Sequence, residues 1–165
     1  MNDDPAKTLL ERLARELYQT EAAAMTQAAR EAERIGTEAP ATAMTDVGHH
    51  ADQVVKLLPD LFKTRGIERL TSRLGAAASF AFSMLRRFGM HLILGPERSY
   101  RFTLAGMRYG IDLVYELEHL AMELKDEELT EFCRTWLERR VPQVTEVERQ
   151  LQWFVHHPDR ALQGA

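Results

Sequence analysis

Apolar residues recur every three or four positions along most of the chain, which is the period expected of helices that bury one face. No stretch alternates apolar and polar residues in the way that a half-buried strand does. The pattern is interrupted at Gly36, Gly66 and Gly95-Pro96, and Pro158 follows its last stretch. These interruptions predict five helices, over residues 5–35, 37–66, 67–94, 97–124 and 126–157.

Short connections between long helices determine the expected architecture. Each predicted helix is about 40 Å long, and only a few residues join one helix to the next. Sequential helices are therefore expected to pack as antiparallel neighbours. The predicted fold class is an all-α antiparallel bundle of about five long helices, like a four-helix bundle with an extra apolar helix, in a single domain over residues 1–165. Pro59 and Pro142 fall inside helices, where each is expected to cause a kink or a local break.

Two opposite charges interrupt the apolar stripes of the first and last predicted helices. Glu21 lies in the middle of the first stripe, and Arg140 lies in the middle of the last. Because an unpaired charge inside an apolar core is very unfavourable, the sequence predicts a buried Glu21–Arg140 ion pair. The alternative is that each side chain reaches water at the edge of the bundle. The predicted stripes are Leu10, Leu13, Leu17, Ala24, Ala28 and Ile35; Met44, Val47, Ala51, Val54, Leu58 and Leu61; Phe102, Tyr109, Leu113, Leu117, Leu120 and Leu124; and Leu129, Phe132, Trp136, Val144, Val147, Leu151 and Phe154.

A strip of ionisable residues on the fourth predicted helix suggests a metal site. Asp112, Glu116 and His119 follow one another at spacings of four and three, beside the apolar face. Carboxylates and an imidazole on one strip suit a divalent metal or acid–base chemistry. Glu21 and His50 are the further ligands expected from other helices, and a divalent metal is the only cofactor that the sequence suggests. The alternative is a solvated helix flank held by ion pairs between successive turns.

This strip is similar in layout to the site of ferritin-type di-iron bundles. Those proteins take a Glu from each of two helices and a Glu-x-x-His motif from each of the other two. Glu116 and His119 form one such motif. The nearest second copy is Asp46 with His49, but His49 projects away from the apolar stripe, whereas His50 lies at its flank. The layout therefore implies a metal-binding bundle, oxidative or metal-storing, with an incomplete set of ligands.

The segment 74–94, called here the apolar segment, is apolar around nearly its whole helical circumference. A helix of this kind must be surrounded on all sides. It is therefore the central helix of the bundle, a homodimer interface, or the wall of an apolar ligand cavity. The residues expected at an interface are Phe80, Phe82, Met90 and Ile93.

Composition and charge argue against several classes of partner. The 165 residues carry a net charge of −4, whereas a nucleic-acid-binding protein is usually basic. Arg86 and Arg87 interrupt the longest apolar stretch, so no membrane span is predicted. The acidic start of the chain does not resemble a secretory signal. Cys133 is the only cysteine, so the chain cannot form an internal disulfide, and a cytoplasmic location is expected.

The sequence leaves the function open. It contains no nucleophile motif, phosphate-binding loop or Cys-x-x-Cys pair, and it does not establish whether the protein is an enzyme. The favoured hypothesis is a non-catalytic helical bundle that acts through self-association or by binding another protein, with a homo-oligomer expected. The two alternatives are the metal-binding bundle and a small-molecule binder with an apolar cavity near the apolar segment.

Overall fold

A computed structural model of the chain describes residues 4–67, 70 and 95–162. Over this part of the chain the protein is an all-helical bundle with four long helices and no strand, as the apolar periodicity predicts. The long helices are α1 (Pro5–Ile35), α2 (Ala39–Lys63), α3 (Pro96–Glu123) and α4 (Glu127–Arg149), followed by the short helices α5 (Leu151–His156) and α6 (Pro158–Ala161). The predicted third helix, 67–94, lies outside the described residues apart from Ile67 and Leu70.

The ends of α1 follow directly from local chemistry. The carboxylate of Asp4 accepts a hydrogen bond from the backbone N–H of Ala6 at 3.0 Å, and Pro5 occupies the first helical position. At the other end Gly36 has φ 92°, a left-handed conformation that stops the helix at Ile35. Both bounds agree with the sequence prediction.

Other helix ends differ from the prediction. Helix α2 begins at Ala39 and ends at Lys63, inside the predicted range 37–66, and no side-chain cap forms at Glu38 before it. The last predicted helix is divided at Gln150, between α4 and α5. Pro59 and Pro142 both lie inside continuous helices, so the predicted break at Pro142 is not observed. A proline removes only one backbone N–H, and the neighbouring turns of these two helices hold the helical path.

The four long helices form a closed ring. α1 packs against α2 and α3, and α4 also packs against α2 and α3, which places α1 and α4 diagonally opposite each other. Arg65 lies just after α2, and Asp126 lies just before α4. Their ion pair, with Nε of Arg65 2.6 Å from Oδ2 of Asp126, joins the end of α2 to the beginning of α4. Further along, Gln143 of α4 donates a hydrogen bond to the backbone carbonyl of Asp46, near the start of α2. Helices α2 and α4 are therefore antiparallel.

The buried apolar side chains form two clusters, one toward each end of the ring. The stripe predicted for α3 is rotated relative to the observed one, since Phe102 and Leu124 are exposed while Tyr100 and Met107 are buried. The first cluster contains Leu10, Leu13, Ala14, Leu17, Val54, Leu58, Leu61, Phe62, Ile67, Leu70, Leu113, Val114, Leu117, Ala121, Leu129, Cys133, Trp136 and Leu137. The second contains Ala28, Ile35, Ala41, Ala43, Met44, Val47, Tyr100, Leu104, Met107, Val144, Val147 and Phe154.

Candidate functional site

Polar side chains occupy the level of the bundle between the two apolar clusters. Glu21 comes from α1, His50 from α2, and Trp136 and Arg140 from α4. Glu21 and Arg140 are each 1% exposed and His50 is 5% exposed, so water does not screen these groups. These four residues, called here the polar layer, are the candidate site because buried charged groups are rare unless they are paired.

Arg140 is the centre of the polar layer. Its Nη2 donates to Oε2 of Glu21 at 2.5 Å, which is a short, charge-assisted hydrogen bond. Its Nε donates to Nδ1 of His50 at 3.2 Å. The guanidinium carbon also lies 5.0 Å from the centroid of the Trp136 ring, within the range of a cation–π contact. The structure thus brings together the Glu21–Arg140 pair predicted from the sequence and adds two neighbours to it.

The hydrogen bond from Arg140 determines the protonation of His50. A ring nitrogen that accepts a hydrogen bond carries no proton, so Nδ1 is bare and the neutral ring holds its proton on Nε2. Burial, together with the positive charges of Arg140 and Arg139, lowers the pKa of His50 to about 3, against an opposing effect of Gln143. His50 is therefore a neutral acceptor in the folded protein at neutral pH.

Burial and pairing act in opposite directions on the two charged groups. Burial raises the pKa of Glu21, and the adjacent Arg140 opposes this increase. Burial likewise lowers the pKa of Arg140, and Glu21 opposes that change. The N–H of Trp136 lies close enough to favour the ionised carboxylate of Glu21. It nevertheless makes no hydrogen bond of normal length to any described residue, so its contribution is weaker than that of Arg140.

Helix α3 approaches the polar layer through a glycine. A Cβ atom at Gly110 would lie 3.3 Å from Cγ2 of Thr20 and 3.9 Å from Cη2 of Trp136. The first distance is tighter than an ordinary van der Waals contact, so a larger residue would push α3 away from α1. Gly110 therefore lets α3 close the ring beside the layer without adding a charged group to it.

The structure does not bring the five predicted metal ligands together. Glu21 and His50 both contact Arg140, whose positive charge disfavours a cation beside them. Asp112, Glu116 and His119 are exposed on the outside of α3. Oε1 of Glu116 lies 3.7 Å from Nη2 of Arg12 of α1, which is an inter-helix pair and not a pair between successive turns of one helix. Within residues 4–67, 70 and 95–162, no three His, Cys, Asp or Glu side chains are placed to hold a metal ion.

The structure does not test the predicted interface, and it shows contacts of Arg140 that were not predicted. The predicted interface residues Phe80, Phe82, Met90 and Ile93 lie outside the described residues. The contacts of Arg140 with His50 and Trp136 were not anticipated from the sequence. His50 follows Val47 by three residues and precedes Val54 by four, and this position beside an apolar stripe was the available signal.

Cys133 is buried in the apolar cluster, and its thiol is not activated. Burial, together with the nearby carboxylate of Glu118, raises the pKa of Cys133 to about 12. A thiol with so high a pKa is protonated at neutral pH and is a poor nucleophile. Cys133 therefore belongs to the core packing.

Comparison of the chain with the models of known protein families, with curated proteins and with solved structures found no match in any of the three. None of the helices in the described part of the chain combines the length and the apolar character needed to cross a membrane. The case for a function therefore rests on the chain's own residues.

Proposed function

We propose that the protein is a non-catalytic helical bundle that acts by self-association, with a second copy of the chain covering its apolar segment. The observation that carries the proposal is the composition of 74–94, where apolar residues cover nearly the whole circumference of the predicted helix. Such a helix is stable in water only if a surface covers each of its sides.

The closed ring of α1, α2, α4 and α3 supports an external role for this segment. Neighbouring helices of the ring contact each other, and the Glu21–Arg140 pair connects the two diagonally opposite helices through the interior. Side chains from all four helices meet in the two apolar clusters and in the polar layer between them. The central position that the apolar helix would otherwise take is therefore occupied, which favours the interface over the central-helix alternative.

The state of the interior charges supports a non-catalytic role. A general acid, general base or metal ligand must be free to contact a substrate or an ion. Glu21 and His50 instead direct their polar atoms at Arg140, and all three side chains are almost fully buried. The polar layer therefore has the character of a structural network, which leaves the molecular surface as the place of function.

A second copy is the partner that best fits the composition of the segment. In a two-fold symmetric interface the same patch meets itself, and an apolar patch is complementary to its own copy. Gly75, Ala76, Ala77 and Ala78 allow two helix backbones to approach closely there. The single buried cysteine is consistent with a cytoplasmic location for such an oligomer.

Light scattering coupled to size-exclusion chromatography tests the proposal. The wild type is expected to elute as a dimer or higher oligomer at micromolar concentration. Phe82→Glu and Met90→Glu each place a charge in the interface, so each should yield a folded monomer with unchanged helical circular dichroism. Leu57→Glu is the matched control, because Leu57 is an exposed leucine on α2, outside the segment. This control variant should keep the oligomeric state of the wild type.

A wild type that is monomeric at these concentrations would contradict the proposal. Variants Phe82→Glu and Met90→Glu that remain fully oligomeric would contradict the assignment of the interface to 74–94.

A further inference from the structure

The polar layer connects three helices at a single level of the bundle. Arg140 of α4 contacts Glu21 of α1, which is diagonally opposite, and His50 of α2, which is adjacent. We infer that the polar layer sets the register of these helices, while the apolar clusters on either side supply most of the stability. The layer thus selects one arrangement among several that the apolar clusters alone would accept.

The apolar clusters discriminate poorly between registers. Both consist mainly of leucine, valine, alanine and methionine side chains that repeat at helical spacing along each helix. Sliding one helix along its neighbours by one turn, about 5.4 Å, replaces one apolar contact by a similar one. Apolar cores tolerate such exchanges when the volume is conserved, and they lose uniqueness of structure before they lose stability.

The polar layer discriminates strongly between helix registers. Moving α4 by one turn would separate Nη2 of Arg140 from Glu21, 2.5 Å away, and Nε from His50, 3.2 Å away. All three side chains are nearly inaccessible to water, so each would be left in the interior without a partner. A register with several stranded polar groups is strongly disfavoured, whereas the observed register satisfies them together.

The test replaces the three hydrogen-bonded members of the layer with apolar residues in the full-length chain: Glu21→Leu, His50→Leu and Arg140→Met combined. The expected result is a helical protein with a melting temperature equal to or above that of the wild type but with several coexisting packings. Its amide resonances in two-dimensional NMR should then be broadened or doubled. Its calorimetric and van't Hoff enthalpies should disagree, since the protein no longer unfolds from a single state.

A matched control places three volume-conserving changes in the first apolar cluster: Leu13→Met, Leu58→Met and Leu117→Met, all at buried positions. This control should keep one sharp transition and one set of resonances. The double variant Glu21→Leu/Arg140→Met, which retains His50, should show the same doubling of resonances as the triple variant.

Two outcomes would overturn the inference. A triple variant with a single cooperative transition and one well-dispersed set of peaks would show that apolar packing alone fixes the register. A triple variant that does not fold, together with a double variant that has one set of resonances, would show that the layer contributes stability and not register.

Discussion

His50 shows at the scale of one residue how neighbours determine a charge state. Its Nδ1 accepts a hydrogen bond from the Arg140 guanidinium, so protonating this nitrogen would place two positive groups in contact. The buried ring therefore stays neutral until the pH is far below the usual range of histidine. His49, the next residue in the chain, is exposed.

The low pKa of His50 predicts that acid weakens the fold. Above the ordinary value of about 6.5 the ring is neutral in the folded and unfolded states, and it has no effect on stability. As the pH falls from about 6.5 to about 3, the unfolded state binds a proton that the folded state does not, so the free energy of unfolding decreases. This loss is at most about 5 kcal/mol and is complete below the folded-state pKa.

NMR of the imidazole resonances during a pH titration measures this effect directly. The signals of His50 should stay those of the neutral Nε2–H form down to about pH 4, while denaturation curves show decreasing stability over the same interval. His49→Gln should leave the pH dependence of stability unchanged, because His49 is exposed. A folded-state midpoint near 6.5 for His50 would contradict the proposed hydrogen bond with Arg140.

Single residues were partly predictable from the sequence. Glu21 and Arg140 could be identified as a pair because each interrupts an apolar stripe, and a buried charge requires an opposite one. The partner of His50 could not be identified, since a flanking residue contacts different groups when its helix rotates by a few tens of degrees. The position of the predicted metal ligands was uncertain for the same reason: periodicity placed Asp112, Glu116 and His119 beside the apolar face, and all three are exposed on α3.

At the scale of the element, α3 is the helix whose buried face was predicted least well. The prediction followed the large apolar residues, including Phe102 and Leu124, both of which are exposed. The observed face includes Gly110 and Thr103, which do not count as apolar in a pattern but fit where helices approach closely. By contrast, the bounds of α1 were predictable, because an Asp-Pro cap and a terminal glycine act within one helical turn.

Two glycines of α3 differ in how closely neighbouring side chains approach them, and alanine substitutions can measure that difference. Nothing lies within 4 Å of a Cβ atom built at Gly106, so Gly106→Ala should stabilise the protein by up to about 1 kcal/mol through helix propensity. A Cβ atom at Gly110 would meet Thr20 at 3.3 Å, which opposes the same gain. Gly110→Ala should therefore be neutral or destabilising.

Urea denaturation of the two alanine variants checks this prediction. The two substitutions are chemically identical and lie one turn apart in the same helix, so both share the gain in helix propensity. The difference between their free energies of unfolding therefore reports the contact of Gly110 with α1. Equal stabilisation by both would show that α3 does not approach α1 closely at Gly110.

At the scale of the whole molecule, the class of fold was predictable and the arrangement of helices was predictable only in part. Helical periodicity and short connections indicated an all-α bundle, which the structure confirms. The predicted Glu21–Arg140 pair also implied that α1 and α4 face each other across the interior, as observed. The packing of α4 against α2 was not predictable, because these helices are not consecutive and pattern alone does not specify which faces meet.

Inside the bundle the charges of Glu21 and Arg140 compensate each other. A double-mutant cycle of Glu21→Leu and Arg140→Met tests this claim most directly. Each single variant strands one buried charge and should lower the free energy of unfolding by about 3–5 kcal/mol. The double variant removes both charges and should recover most of that loss. Glu118→Leu and Arg134→Met, at a partly exposed inter-helix pair 3.0 Å apart, form the control cycle, with an expected coupling below about 1 kcal/mol.

Denaturation curves of the wild type, the two single variants and the double variant provide this coupling energy. A large, favourable coupling between Glu21 and Arg140 is the result that the structure predicts. Losses that are strictly additive would contradict it, because they would show that the two groups do not interact. A nearly silent Arg140→Met would also contradict it, since it would mean that this guanidinium reaches water and that Glu21 needs another partner.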